Sequence, residues 1–251
     1  MKIIFHKAFY KVYTDDPAAA PGRMESIGKE LKGTFEFLQA EPASLSDLEK
    51  IHGIWHINFV KSEPIIFEVG RLAAGGAIRA AEMALEGQPA FGLIRPPGHH
   101  ASPNSCWGFC YFNNIAIALK RLLSKGRIKS AFILDFDLHY GDGTATAFRD
   151  CPEVSYFHPE GTNREDFLIN LQQGLLTDRV YDIVAVSAGF DRHEEDWGGL
   201  LKTEDYLNIG KWVKEFSLRI CQARRFGVLE GGYNHSVLGR NVKSFLLGFG
   251  D

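Results

Sequence analysis

Asp135, Asp137 and His139 alternate with Phe136 and Leu138 near the end of the run FILDFDLHYGDGT (132–144). On an extended chain this alternation places the three polar side chains on one side. The run opens like a strand buried on both faces, and buried carboxylates are costly unless positive charge compensates them. Asp-x-His at a strand end suits a metal ion, and Asp191, just after the apolar run DIVAVSAG (182–189), supplies a third ligand. One histidine and two carboxylates leave an open coordination position, as a catalytic metal requires. The tandem GHH (98–100) adds two imidazoles suited to proton transfer near neutral pH, with Asp135 and Asp142 as acceptors for their outward N–H groups. Tyr233, on the glycine-flanked turn of EGGYNHS (230–236), is placed to donate a hydrogen bond to a developing oxyanion. No Ser or Cys stands in a nucleophile arrangement, so the chemistry points to water attack without a covalent acyl-enzyme. Taken singly, each element also fits a bland role: a salt-bridged strand end, two loop histidines, a half-buried tyrosine.

These groups need a frame. Short apolar runs recur at 2–6, 90–94, 130–137, 154–158, 182–189 and 226–232, several of them apolar at nearly every position, as in parallel strands covered on both faces. Helical patterns lie between them: RLAAGGAIRAAEMALEG before a cap at Gly87, NNIAIALKRLLSKG before Gly126, and a helix opening at Thr203 with Glu204 and Asp205 in its first turn. The alternation predicts a three-layer α/β/α fold with a mostly parallel central sheet, as one domain over 1–251. The unusual polar residues follow the apolar runs, and in such sheets ligands bind beyond the carboxyl ends of the strands. The candidates therefore converge on one edge.

The balance of the chain narrows the partners. A formal charge of −3 with no Lys/Arg block argues against direct nucleic-acid binding. No stretch reads as a membrane span or a signal peptide, so a cytoplasmic, membrane-free protein is expected. Cys106, Cys110, Cys151 and Cys221 form no C-x-x-C pair, which speaks against a thiolate zinc site and for reduced thiols, with a redox role open for the first two.

Five segments, RPPGHH, GFCYFNN, LDFDLHYGDGT, SAGFD and LEGGYN, occur in an order that resembles the zinc-dependent histone deacetylases and acetylpolyamine amidohydrolases, nearest the class II and bacterial branch. The likeness extends to GRMESI and DLEKIHGIWHINFVK and covers most of the chain. It implies the arginase/deacetylase fold and the hydrolysis of acetyl or other acyl groups from lysine side chains, acetylated polyamines or other amines. It also implies zinc on Asp137, His139 and Asp191, with His99 and His100 as the catalytic pair, oriented by Asp135 and Asp142. Tyr233 would polarise the substrate carbonyl. Gly108 and Phe109 would line the acyl channel, with Trp197 at its gate. A structural potassium ion would use Asp135, Asp137, His139, Ser155 and the carbonyl of Tyr156. The oxygen-rich donor set leaves Fe2+ or Co2+ open as the catalytic metal.

Several features depart from that pattern. The segments between Val60 and Arg71 and between His158 and Tyr181 are short, and the rim aspartate of many relatives has only Glu63 and Glu68 as poor counterparts. No acidic gate of the polyamine-selective type can be assigned, although Glu194 and Glu195 are near. A more open, shallow site is expected. An arginase-like ureohydrolase would need acids at 141 and 193, where Gly and His stand. A phosphoesterase would need a Gly-Asn-His element that GYNHS does not supply. A non-catalytic acyl-lysine binder would be expected to have lost a ligand or the tyrosine.

Overall fold

A computed structural model describes residues 1–250. Seven strands form one all-parallel sheet: β1 (Lys2–Phe5), β2 (Glu36–Gln39), β3 (Ala90–Gly92), β4 (Ala131–Asp135), β5 (Val154–Phe157), β6 (Ile183–Ala188) and β7 (Arg225–Leu229). Their order is β2-β1-β3-β7-β6-β4-β5. Every residue of β3, β4, β6 and β7 is buried, which is why these segments are apolar throughout rather than alternating. Helices Pro64–Leu85 and Asn114–Ser124 pack on each other, and Thr203–Cys221, His235–Phe249 and Arg23–Leu31 form a second group. The result is the expected three-layer α/β/α architecture. Among the described residues no helix is long and apolar enough to cross a membrane.

Two boundaries differ from the sequence reading in ways that matter. The long helix starts at Pro64 rather than near Arg71, because proline is well placed in a first turn where its missing N–H costs nothing. More important, β4 ends at Asp135, so Asp137 and His139 stand on the loop beyond it. Asp135 Oδ1 accepts the Asp137 N–H at 3.2 Å, and Asp137 Oδ1 accepts the His139 N–H at 2.9 Å. Each carboxylate thus takes up a backbone donor that a continued strand would have given to the sheet. The short edge strand β2, mostly exposed, carries no apolar run and was not anticipated.

Candidate metal centre and catalytic pocket

Asp137 and Asp191 follow the ends of the adjacent strands β4 and β6, and their carboxylates are buried side by side. Asp137 Oδ2 accepts the Gly231 N–H at 2.8 Å, and Asp191 Oδ1 accepts the Leu138 N–H at 3.0 Å. Asp191 Oδ2 is buried with no hydrogen-bond partner among the described residues. His139 completes the group, with Nδ1 3.4 Å from both Asp137 Oδ1 and Asp191 Oδ2. One donor atom from each of the three lies within 4.8 Å of the others. The electrostatics ask for a cation. Burial and the neighbouring Asp137 push Asp191 up to about 6, while the two carboxylates beside its ring raise His139 to about 9. An orphaned carboxylate oxygen in a set of two carboxylates and one imidazole fits a divalent metal. A Cβ on Gly231 would lie 2.5 Å from Asp191 Oδ2 and 2.6 Å from Asp137 Oδ2, so only glycine lets the backbone come this close.

The tandem histidines come from the loop after β3 and stand beside this group. His99 Nδ1 lies 3.0 Å from Asp135 Oδ2, and His100 Nδ1 lies 2.7 Å from Asp142 Oδ1. With each Nδ1–H directed at a carboxylate, each Nε2 is free for the pocket side, and His99 Nε2 is 3.8 Å from Asp137 Oδ1. The two environments pull apart. Burial works against the charged form of His99, but Asp137 and Asp135 outweigh it and hold its pKa well above the ordinary value. Burial and the adjacent His99 push His100 down. Trp107 packs on His100 with ring centroids 3.8 Å apart, and its indole N–H donates to Asp142 Oδ2 at 3.0 Å.

Tyr233 follows Gly232, whose φ of +114° is open to glycine alone. Asp196 pins this turn by accepting the N–H groups of Tyr233 and Asn234, both at 2.8 Å. Arg23, buried, donates to the Gly232 carbonyl at 2.8 Å and the Glu230 carbonyl at 2.6 Å. Trp197 stacks on the Tyr233 ring at 4.0 Å, and Phe109 meets it edge-on at 5.9 Å. A cavity of about 320 Å3 is lined by His99, His100, His139, Tyr233, Phe109 and Trp197, together with Pro97, Trp107 and Gly108. Its mouth is open, since Trp107 and Trp197 are half-exposed and His139 keeps 40% of its side chain accessible. Gly108 and Phe109 both have positive φ, 57° and 65°, and a Cβ on Gly108 would meet His100 Cδ2 at 2.4 Å.

All the residues proposed for the catalytic metal, the histidine pair, the tyrosine and the channel therefore meet in one place. Ser155, expected as a cation ligand beside Asp135, does not join them. Successive residues of β5 face opposite sides, so the Ser155 hydroxyl turns to the Tyr181 hydroxyl at 2.7 Å, while the Tyr156 hydroxyl donates to Asp135 Oδ2 at 2.9 Å. Glu68 is engaged by Lys11. His193 Nδ1 accepts the Glu195 N–H at 3.1 Å and its Nε2 lies 3.3 Å from Thr203 Oγ1, so position 193 offers nothing to a second metal.

Three contributors were missed from sequence. Glu230 is fully buried; its carboxylate accepts the Gly98 N–H at 2.6 Å and the Ser187 hydroxyl at 3.1 Å, which fixes the histidine loop. Burial pushes Glu230 up to about 7. An acid closing an apolar strand in LEGGYN was the available signal. Arg23 and Trp107 gave none, because their hydrogen-bond partners, Gly232 and Glu230 for the one and Asp142 for the other, lie far along the chain. His99, Cys110 and Glu230 also cluster, but burial holds the Cys110 thiol well above its usual range, and Glu230 is occupied by Gly98.

The histone deacetylase domain profile matches residues 18–167 and 159–249. A probable deacetylase of Archaeoglobus fulgidus is 31% identical, with 92% of this chain and 81% of that protein aligned. One from Methanothermobacter thermautotrophicus is 28% identical over 98% of this chain and 90% of its own. The mouse polyamine deacetylase HDAC10 is 40% identical over 78% of this chain, although the match spans only 35% of that longer protein. The crystal structure of the HDA15 HD domain superposes with a TM-score of 0.80 over 98% of this chain and 90% of that one, at 21% identity, and so shares the fold.

Proposed function

Because this chain belongs to the histone deacetylase domain family, we propose that it is a metal-dependent amidohydrolase that removes acetyl or related acyl groups from amines. The observation that carries this reading is the buried Asp191 Oδ2, which has no hydrogen bond, grouped with Asp137 and His139 beside two carboxylate-oriented histidines. Asp137, His139 and Asp191 would hold zinc, or Fe2+ or Co2+ in its place, and the bound ion supplies Lewis acidity toward an amide carbonyl and a water.

The side chains do the rest. Asp142 holds the Nδ1–H of His100, so the Nε2 lone pair faces the pocket and takes the proton of the attacking water, alone or with His99. The Tyr233 hydroxyl donates to the carbonyl oxygen as negative charge develops there. A protonated imidazole of the pair returns a proton to the amine nitrogen as the C–N bond breaks, leaving a carboxylate and a free amine. Phe109, Trp107 and Trp197 supply apolar walls for the acyl-amine stem. The open mouth accommodates either an acetylated lysine on a protein or an acetylated polyamine. A side-by-side assay of acetyl-lysine peptides, acetylated polyamines and other acylated small amines separates these classes. Replacing Tyr233→Phe should lower kcat by about 100-fold or more on the best substrate while metal content is unchanged. Full activity in that variant would refute the oxyanion role.

A further inference from the structure

Arg192 follows Asp191 directly, yet its side chain runs beneath the loop that carries Asp137 and His139. It is 6% exposed. Its Nε donates to the Asp137 carbonyl at 3.0 Å, and Nη2 donates to the Leu138 carbonyl at 3.3 Å and the Pro159 carbonyl at 3.4 Å. Nη2 also lies 3.1 Å from His158 Nε2, and the guanidinium sits 4.5 Å above the Phe167 ring. These partners are main-chain oxygens, a ring nitrogen and a π-face, the kind of shell that a buried monovalent cation collects.

The side-chain oxygens such an ion would need are already in use. Asp135 Oδ1 accepts the Asp137 N–H, and Oδ2 accepts from Tyr156 and His99. The Tyr156 hydroxyl in turn accepts the Gly141 N–H at 2.8 Å. Ser155 faces the other way. With the Asp135 carboxylate committed, the Asp137 carbonyl taken by Arg192 and the Ser155 hydroxyl turned away, the group does not fit a potassium ion shared between Asp135, Asp137, His139, Ser155 and Tyr156.

We infer that Arg192 is a tethered cation standing in for a free structural ion, and that it braces the Asp137–His139 loop without potassium. A permanently charged guanidinium, covalently held, neutralises part of the charge of Asp135, Asp137 and Asp191 and holds the Asp137 and Leu138 carbonyls in place. Arg192 is thus a positioning residue for two of the three metal ligands.

The test uses the full chain. The thermal midpoint of the wild-type protein should be the same in KCl and in tetramethylammonium chloride at matched ionic strength, and crystals soaked in RbCl should show no anomalous peak at the Asp137 and Leu138 carbonyls. In Arg192→Ala, metal affinity measured by chelator competition should fall about tenfold. Added K+ or guanidinium, but not tetramethylammonium, should restore part of it, and Arg192→Lys should retain more than Arg192→Ala. A potassium-specific rise in the wild-type midpoint, or a rubidium peak in wild-type crystals, would overturn the inference whether or not the variants fold. So would an Arg192→Ala protein whose metal affinity is unchanged and indifferent to added cations.

Discussion

Gly231→Ala adds one methyl group at the point where the β7 loop meets both carboxylate ligands. The Cβ would lie 2.5 Å from Asp191 Oδ2 and 2.6 Å from Asp137 Oδ2, whereas ordinary contact begins at 3.4 Å. Relief requires the carboxylates to retreat by about 0.8–0.9 Å if the backbone holds, judged from those same contacts. Metal–ligand distances tolerate only about 0.2 Å. Gly231 does not have positive φ, so alanine is compatible with its backbone and the variant keeps the N–H donated to Asp137. The damage should therefore fall on the metal rather than on the fold: affinity lower by about 100-fold, near 2.8 kcal/mol, with a native circular dichroism spectrum. Zinc or cobalt titration against a chromophoric chelator measures it. Gly87→Ala is the control, because its φ of 77° strains alanine while nothing lies within 4 Å, so stability drops by about 1 kcal/mol with metal affinity intact. Wild-type affinity in Gly231→Ala would refute the proposed packing of the ligand carboxylates.

Trp107→Phe removes the indole donor to Asp142 while keeping a ring on His100. With about 1 kcal/mol assigned to that bond, kcat/KM should fall about fivefold, and an unchanged value would show that Asp142 needs no second donor. Asp47 lies away from the site, bonded to Ser44 and Arg121. Burial opposes its charge, but the Ser44 and Arg121 hydrogen bonds outweigh this and lower its pKa. Its contribution is then full above the unfolded carboxylate value of about 4 and is lost as pH falls through the folded value. Asp47→Asn should lower the thermal midpoint by about 2–4 °C at neutral pH, with the gap closing in acid; a gap that widens in acid would contradict this reading.

The parallel sheet was legible because β4, β6 and β7 are apolar at almost every position, and the site was legible because its polar residues directly follow those runs. What escaped reading has physical reasons. The end of β4 depended on two carboxylates capturing backbone donors. Ser155 and Tyr156 differ by one step on a strand, and one step reverses the face. Glu230 acts on Gly98, 132 positions away, and Arg23 acts on Gly232, 209 positions away, contacts that no local pattern encodes. Arg192 sits inside the recognisable segment after SAGFD, yet its job is set by where a long side chain turns beneath a neighbouring loop.

The most direct test is a metal titration of turnover. Chelator-treated protein receives zinc in fractions of an equivalent, and release of free amine from a panel of acetylated lysine peptides and polyamines is measured at each step. Amine release should rise from zero and level off at one equivalent, and Asp191→Asn should abolish it. Stoichiometric metal binding with no release from any substrate, or undiminished release from metal-free protein, would contradict the proposed metal-dependent hydrolysis.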